Sequence, residues 1–350
     1  MRIPILTAVI IPGLLMMVSC RTSPNSPVDL QVVESEQRVK VTAGGKAFTA
    51  YIYDPELEKP VLFPLVTADG VTVTRGFPLA PEAGERADHP HHVGCWLNFG
   101  DVNGYDFWNN SPARSQESKV HLGRIVHREF LKVRRGRGRA VLEVRARWMA
   151  PDTGEAEQLL EETTSFTFRA SEKTRIIDRV TTLTAISGRV TFTDNKEGMM
   201  ALRVGRAFEH PDTGAVLLTD SSGQLMEQQV VDTAGVTGRY RNSEGVEGTD
   251  VWGKRARWVE LTGISQGQRR SIVLMDHPSN TGYLSHWHAR GYGLFSVNNL
   301  GRKVFDNNRE EIVVELEQGS SLTFRYRLVL SDEDLSDPEI EALWTGFTEE

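Results

Sequence analysis

Three of the nine histidines fall within four positions, His89, His91 and His92, with Asp88 before them and Pro90 among them. His286 and His288 form a second group far downstream, after Asp276-His277-Pro278-Ser279-Asn280 and before Arg290-Gly291-Tyr292-Gly293. Imidazole titrates near neutral pH, so such groups suit proton transfer. Strand spacing turns His89 with His91, and His286 with His288, to one face each, so the four make a metal ion such as Zn or Cu the alternative occupant. No carboxylate is fixed by spacing to complete that shell, and Pro90 disturbs the first pair. The expectation is therefore a metal-free polar cleft with at least one imidazole facing it.

Aromatic residues follow the first group closely. Five of the 14 residues from Cys95 to Trp108 are aromatic, against 8% for the chain. Ring faces beside Asn98 and Asp101 suit a sugar, whose C–H face is apolar and whose hydroxyls need paired donors and acceptors. Lys196-Glu197 by itself reads as a solvated turn; beside histidines, Glu197 becomes a candidate general base or nucleophile. The catalytic candidates are thus His91, His92, Glu197 and His288. Substrate-binding candidates are Trp96, Asn98, Asp101, Lys196, Arg203, His286, Trp287 and Tyr292. Cys95, flanked by Gly94 and Trp96, reads as buried packing. Nucleotide-binding glycine loops, a serine elbow and paired cysteines are missing.

Strands must position these side chains, because the dominant pattern has period two. Leu142, Val144, Ala146 and Trp148 alternate with charged residues, as do Leu322, Phe324, Tyr326 and Leu328. Similar stretches recur along most of the chain, separated by turns such as Ala68-Asp69-Gly70. One helix is expected, at the C-terminus, with Ser336 as cap, Pro338 in the first turn, and Ile340, Leu343 and Trp344 on one face. The fold class is all-β, a large antiparallel β-sandwich with a short C-terminal helix, and residues 31–350 form its single domain.

The remaining composition narrows the setting. A charge of −7 without a basic run excludes nucleic acid as a partner. Residues 1–19 have the layout of a signal peptide, with Arg2 before an apolar run, and Met17-Val18-Ser19-Cys20 has the form of a lipobox. Lipid on Cys20 and a flexible leash over residues 20–30 would anchor the domain to a bacterial cell-envelope membrane, facing the periplasm or exterior.

The segments Asp88-His89-Pro90-His91-His92 through Gly100-Asp101-Val102-Asn103-Gly104, Lys196-Glu197-Gly198, and Asp276-His277-Pro278-Ser279-Asn280 with Trp287-His288 and Gly291-Tyr292-Gly293 together resemble the bacterial family labelled "methane oxygenase PmoA-like". That resemblance implies an exported protein associated with carbohydrate use, and a chain of this kind is similar to galactose mutarotase-like sandwiches. The leading expectation is a carbohydrate-active enzyme, an epimerase, lyase or glycoside hydrolase, using His/Glu acid–base chemistry. The alternatives are a noncatalytic glycan-binding lipoprotein and a His-ligated metal-dependent oxidase or hydrolase.

If Cys20 carries the anchor, Cys20→Ser should move the protein from the membrane fraction to the soluble fraction. Retention of that variant on membranes through detergent-free washing would refute the anchor.

Overall fold

The computed structural model describes residues 27–151, 157–212 and 214–350. The signal, the lipobox and Cys20 lie outside the described residues. Strands follow one another in the order β1 (Pro27–Val33), β2 (Arg38–Ala43), β3 (Lys46–Ile52), β4 (Val61–Leu62), β5 (Cys95–Leu97), β6 (Arg124–Arg134) and β7 (Gly136–Arg137). Next come β8 (Arg139–Met149), β9 (Gln158–Ala170), β10 (Thr174–Ala185), β11 (Val190–Thr193), β12 (Met200–Arg203) and β13 (Arg239–Asn242). The chain ends with β14 (Trp258–Ser265), β15 (Gln268–Asp276), β16 (His286–Trp287), β17 (Leu294–Asn298), β18 (Val313–Leu316), β19 (Ser321–Ser331) and the helix α1 (Asp337–Thr348). β1 takes in residues 27–30, assigned above to the leash, because Val28–Leu30 pair with β2.

Two large antiparallel sheets carry the fold. One has nine strands in the order β16-β17-β12-β5-β4-β3-β2-β1-β7, the other eight in the order β13-β14-β15-β19-β10-β9-β8-β6. β11 and β18 form a small separate ribbon. The eight-stranded sheet explains the period-two signal: β8 alternates buried and more exposed residues along its whole length, and β19 does so from Ser321 to Tyr326 before it is buried throughout. Their inward side chains, among them Leu142, Val144, Trp148, Phe324 and Leu328, meet Cys95, Leu97, Leu202, Phe295 and Val297 from the nine-stranded sheet in one apolar core. α1 covers part of the eight-stranded sheet's other face, placing Ile340 and Phe347 on Trp258, Val273, Met275 and Val329. Ser336 and Glu339 close a capping box at its start.

The strands beneath the site behave differently. β5, β12 and β17 are buried at every residue, because loops cover the outer face of the nine-stranded sheet. On that face Ala50, Ile52, Val61, Phe63, Val93, Trp96, Trp108, Ala201 and Leu294 form a second apolar cluster. Pairing aligns Trp96 with Ala201 and Ala201 with Ser296. The His288 N–H donates to Ser296 O at 2.8 Å, so a row runs Trp96, Ala201, Ser296, His288 across neighbouring strands. Ala201 and Ser296 are small, which leaves room above the sheet for the loops.

The histidine loop enters β5 through Gly94, whose φ of +56° lies in the left-handed region. A Cβ there would sit 2.3 Å from Leu62 O and 2.9 Å from Phe63 Cβ. Gly94→Ala should therefore strain the backbone and push β5 from β4, costing about 1–3 kcal/mol or more, seen as a fall in thermal midpoint. An unchanged midpoint would show that the loop does not need this turn.

Candidate functional site

The loop from residue 86 to residue 92 is organised by one buried side chain. Arg75 is 1% exposed and donates through Nη1 to Arg86 O, Asp88 O and Asp88 Oδ1 at 2.8–3.0 Å, and through Nη2 to His89 O and His92 O at 3.0 Å. Asp88 Oδ1 also accepts from Arg203 Nη2 at 2.5 Å, and Arg203 is 0% exposed. Burial pushes the Asp88 carboxyl upward, but the hydrogen bond from His89 and the charges of Arg203 and Arg75 outweigh it and hold it well below the ordinary carboxylate range. Burial and Arg203 lower Arg75 to about 9, which leaves it a cation at neutral pH.

The imidazoles stack within this frame. His92 lies parallel to His89 at 4.8 Å and near Trp96 at 5.4 Å, with Trp108 edge-on at 5.7 Å. His89 in turn stacks on Tyr292 at 5.0 Å, and the Arg203 guanidinium sits 4.9 Å over the Tyr292 ring. The two histidine-bearing segments are therefore direct neighbours. Arg203 can only donate, so its 3.2 Å contact with His92 Nδ1 puts the ring proton on Nε2. That buried N–H has no partner among the described residues. Burial and the neighbouring His91 lower the His92 pKa far below its usual value, and burial and Lys59 bring His91 down to about 2. Lys59 is itself buried, donates to His91 O at 2.8 Å and lies 5.6 Å over Trp96; burial lowers it to about 8.

On the other side of the row, the His288 Nδ1–H donates to Lys196 O at 2.9 Å, leaving the Nε2 lone pair as its acceptor. Glu197 Oε2 stands 3.6 Å from the same Nδ1, and Glu197 Oε1 is paired with Lys196 Nζ. Burial, then Lys196, brings His288 down to about 3, so its ring is neutral at physiological pH. The turn bearing Glu197 is pinned from both sides: Asn195 Oδ1 accepts the Glu197 N–H, and Glu197 O accepts from Gly100 N. Gly198 follows at a point where a Cβ would lie 2.4 Å from Phe99.

Beside this group opens a cleft of about 560 Å³, walled by Arg86, His210, Trp252, Arg290 and Tyr292. Trp252 also faces His288, at 6.5 Å between ring centres. His210, Trp252 and Arg290 were not singled out above, and neither were Lys59 and Arg75. Arg75 carried one signal, a cation closing the alternating run Val71-Thr72-Val73-Thr74; the others lie in loops without a pattern.

Several expected site residues serve other purposes. Trp287 points into the sandwich core and donates to Ala256 O, because alternation turns it away from His286 and His288. Trp96 and Asn98 are fully buried, the indole N–H donating to Asn98 Oδ1 and the amide to Phe107 O, so they form the floor and present no surface to a ligand. Asp101 caps Gly104 N in the hairpin Val102–Tyr105, whose Asn103 and Gly104 both have positive φ. His286 packs on Phe305 and donates to Gly253 O. The Lys196 side chain projects outward to Glu197, and Cys95 is buried packing whose thiol burial raises to about 12. His89, His91, His286 and His288 make no metal shell: among the described residues no three His, Cys, Asp or Glu side chains converge to hold an ion. Asp276 of the second motif is a buried hub accepting from Asn280, Asn299 and Ser285, which ties the end of β15 to the chain entering β16.

Fold and site together define an all-β sandwich protein with a polar cleft beside, and not lined by, the buried His91, His92 and His288; of the histidines only His210 stands in the cleft wall. The chain belongs to DUF6807, a family of unknown function, whose model matches residues 38–345. This corrects the methane oxygenase PmoA-like resemblance: the family found carries no such label, and the Asp276–Asn280 motif that contributed to the resemblance is accounted for by the hub just described. No curated protein sequence matches the chain. Among solved structures it is similar to the GH36 alpha-galactosidase AgaB from Geobacillus stearothermophilus, at 11% identity and a TM-score of 0.41 over 87% of this chain and 41% of that one. It is also similar to a galactose mutarotase-like protein from Clostridium acetobutylicum, at 10% identity and a TM-score of 0.34 over 88% of this chain and 99% of that one. The chain thus spans about two fifths of the galactosidase's length.

Replacing Asp88 leaves two buried guanidinium groups without their shared carboxylate. Asp88→Asn should cost about 3–5 kcal/mol at pH 7, measured by denaturant unfolding. Because the folded-state carboxyl is depressed, that stabilisation is present above the unfolded value of about 3.9 and is lost as pH falls below it, so wild type and variant should converge in acid. His91, His92 and His288 are depressed bases: the fold resists their protonation, and stability should rise with pH across roughly 3 to 6.5. A flat profile there would contradict neutral buried imidazoles.

Proposed function

We propose that this chain is a carbohydrate-active enzyme whose proton transfers run through Glu197 and His288. The observation that carries this is the Glu197–His288 pair at 3.6 Å, next to a cleft walled by Trp252 and Tyr292. The aromatic faces suit the C–H surface of a sugar, and His210, whose Nδ1 contacts Pro211 O, has its other ring nitrogen for a hydroxyl. His288 is held in one tautomer by Lys196 O, which leaves its Nε2 lone pair as an acceptor; burial keeps the free ring neutral, so it takes up a proton only as Glu197 stabilises the charge. Glu197, poised against that ring's N–H face, stabilises the imidazolium that forms, or takes the proton itself. His92 contributes an N–H donor that has no partner among the described residues, its tautomer set by Arg203. Anchoring to the cell envelope through Cys20 is part of the same proposal.

A glycan array with turnover assays on each hit is the test. Glu197→Gln and His288→Gln should each lower kcat by about 10²–10⁴-fold with Kd for the glycan little changed, whereas Trp252→Ala should weaken binding. Binding without turnover in wild type, with Glu197→Gln indistinguishable from it, would replace the enzyme by a noncatalytic glycan-binding protein.

A further inference from the structure

Charge around the cleft runs against the charge of the chain. The whole sequence carries −7, yet four arginines converge here on two carboxylates. Arg75 and Arg203 share Asp88, while Arg86 and Arg206 share Glu209 Oε2 at 3.0 and 2.8 Å. Both carboxylates are engaged, so these six side chains hold an excess of two positive charges beside the cleft, with Arg86 in its wall, Arg75 and Arg203 buried behind it, and Lys59 buried beyond them. Such an excess is costly to desolvate and would be relieved by an anion.

Arg290 adds to it from the open side. Its side chain is exposed, and its guanidinium lies 5.7 Å over Trp252 and 5.8 Å over Tyr292. Among the described residues it makes no ion pair and its side chain donates no hydrogen bond. Two aromatic faces therefore hold a free guanidinium at the mouth of the cleft, with its planar fork unspent. The carboxylate on the rim, Asp212, accepts from Gly214 N and faces its own turn.

We infer that the cleft takes an acidic sugar, a uronic acid or a saccharide containing one, and that Arg290 receives its carboxylate. This rests on the carbohydrate function proposed above and adds the charge of the substrate. A guanidinium fork matches a carboxylate through two parallel N–H···O bonds, while Trp252 and Tyr292 flank the ring. The excess held by the four arginines steers the anion in and attenuates its repulsion from Glu197.

Calorimetric titration of the full chain with galacturonate and glucuronate oligomers, against neutral galactose and glucose oligomers of the same length, decides the matter. The acidic sugars should bind at least about tenfold tighter, and Arg290→Gln should bring that ratio toward one. In wild type, raising the salt concentration should weaken the acidic sugars and leave the neutral ones unmoved, which checks the charge without any substitution. Equal affinity for neutral and acidic oligomers, or an unchanged ratio in Arg290→Gln, overturns the acidic-sugar assignment and leaves the carbohydrate function standing. Sodium sulfate binding as tightly as the uronates also overturns it, marking a general anion site. Failure of every saccharide to bind removes the carbohydrate function, and this assignment with it.

Discussion

A single carboxylate, Asp88, shared by two buried guanidinium groups, fixes the site. Arg75 and Arg203 arise from different parts of the chain, and among the described residues neither has another side-chain anion at hydrogen-bonding distance. Each stacked ring pair in the loop contributes about 0.5–1.5 kcal/mol, less than the several kcal/mol lost when a buried ion pair is broken. Charge therefore decides where the loop sits, and the stacking of His89 on His92 and Tyr292 follows from that position. Arg75 also serves the carbonyls of residues 86, 88, 89 and 92, so the loop's conformation is specified by hydrogen bonds to a cation that cannot move.

The second constraint is the covering of β5, β12 and β17 of the nine-stranded sheet on both faces. Water is excluded from β5, β12 and β17, so polar groups on the outer face must find partners within the protein. Most do: Trp96 uses Asn98, Ser296 uses Gly198 O, and His288 uses Lys196 O. Among the described residues the buried atoms without a partner include His92 Nε2, Arg203 Nε, Arg75 Nε and Glu209 Oε1 around the Asp88 loop, and His286 Nε2 further along the same face. Donors left over beside a cleft lower the cost of bringing a polar ligand there, since the fold has already met the desolvation of those groups.

The core and the site make opposite use of the same strands. Toward the eight-stranded sheet, Cys95, Leu97, Leu202, Phe295, Val297 and Trp287 pack without polar demands beyond the Trp287 N–H. Toward the loops, Trp96, Ala201, Ser296, His286 and His288 alternate with them. Strand pleat separates an apolar side that holds the sandwich together from a polar side that is free to carry chemistry.

The amino-acid sequence alone determines the sandwich where one face of a strand is wet. β8 and β19 show their alternation plainly, and Ser336 with Glu339 marks the helix start through local hydrogen bonds. It also marks the histidine segments and the Asn103-Gly104 turn, whose backbone needs are local. The short strands β5 and β16 escape notice, and β12 is caught only at its end, because residues buried on both faces lose the period-two contrast. Parity between His286 and His288 points Trp287 to the opposite face, a signal that its reading as a substrate-binding residue overlooks. What only the tertiary structure decides is which charges meet: Asp88 with Arg75 and Arg203, Glu197 with His288, Arg290 with Trp252. Those encounters join residues of different elements, and for the buried pairs, Asp88 with its two arginines and Glu197 with His288, the desolvation that gives them their strength exists only once the sheets have packed and the loops have closed over them.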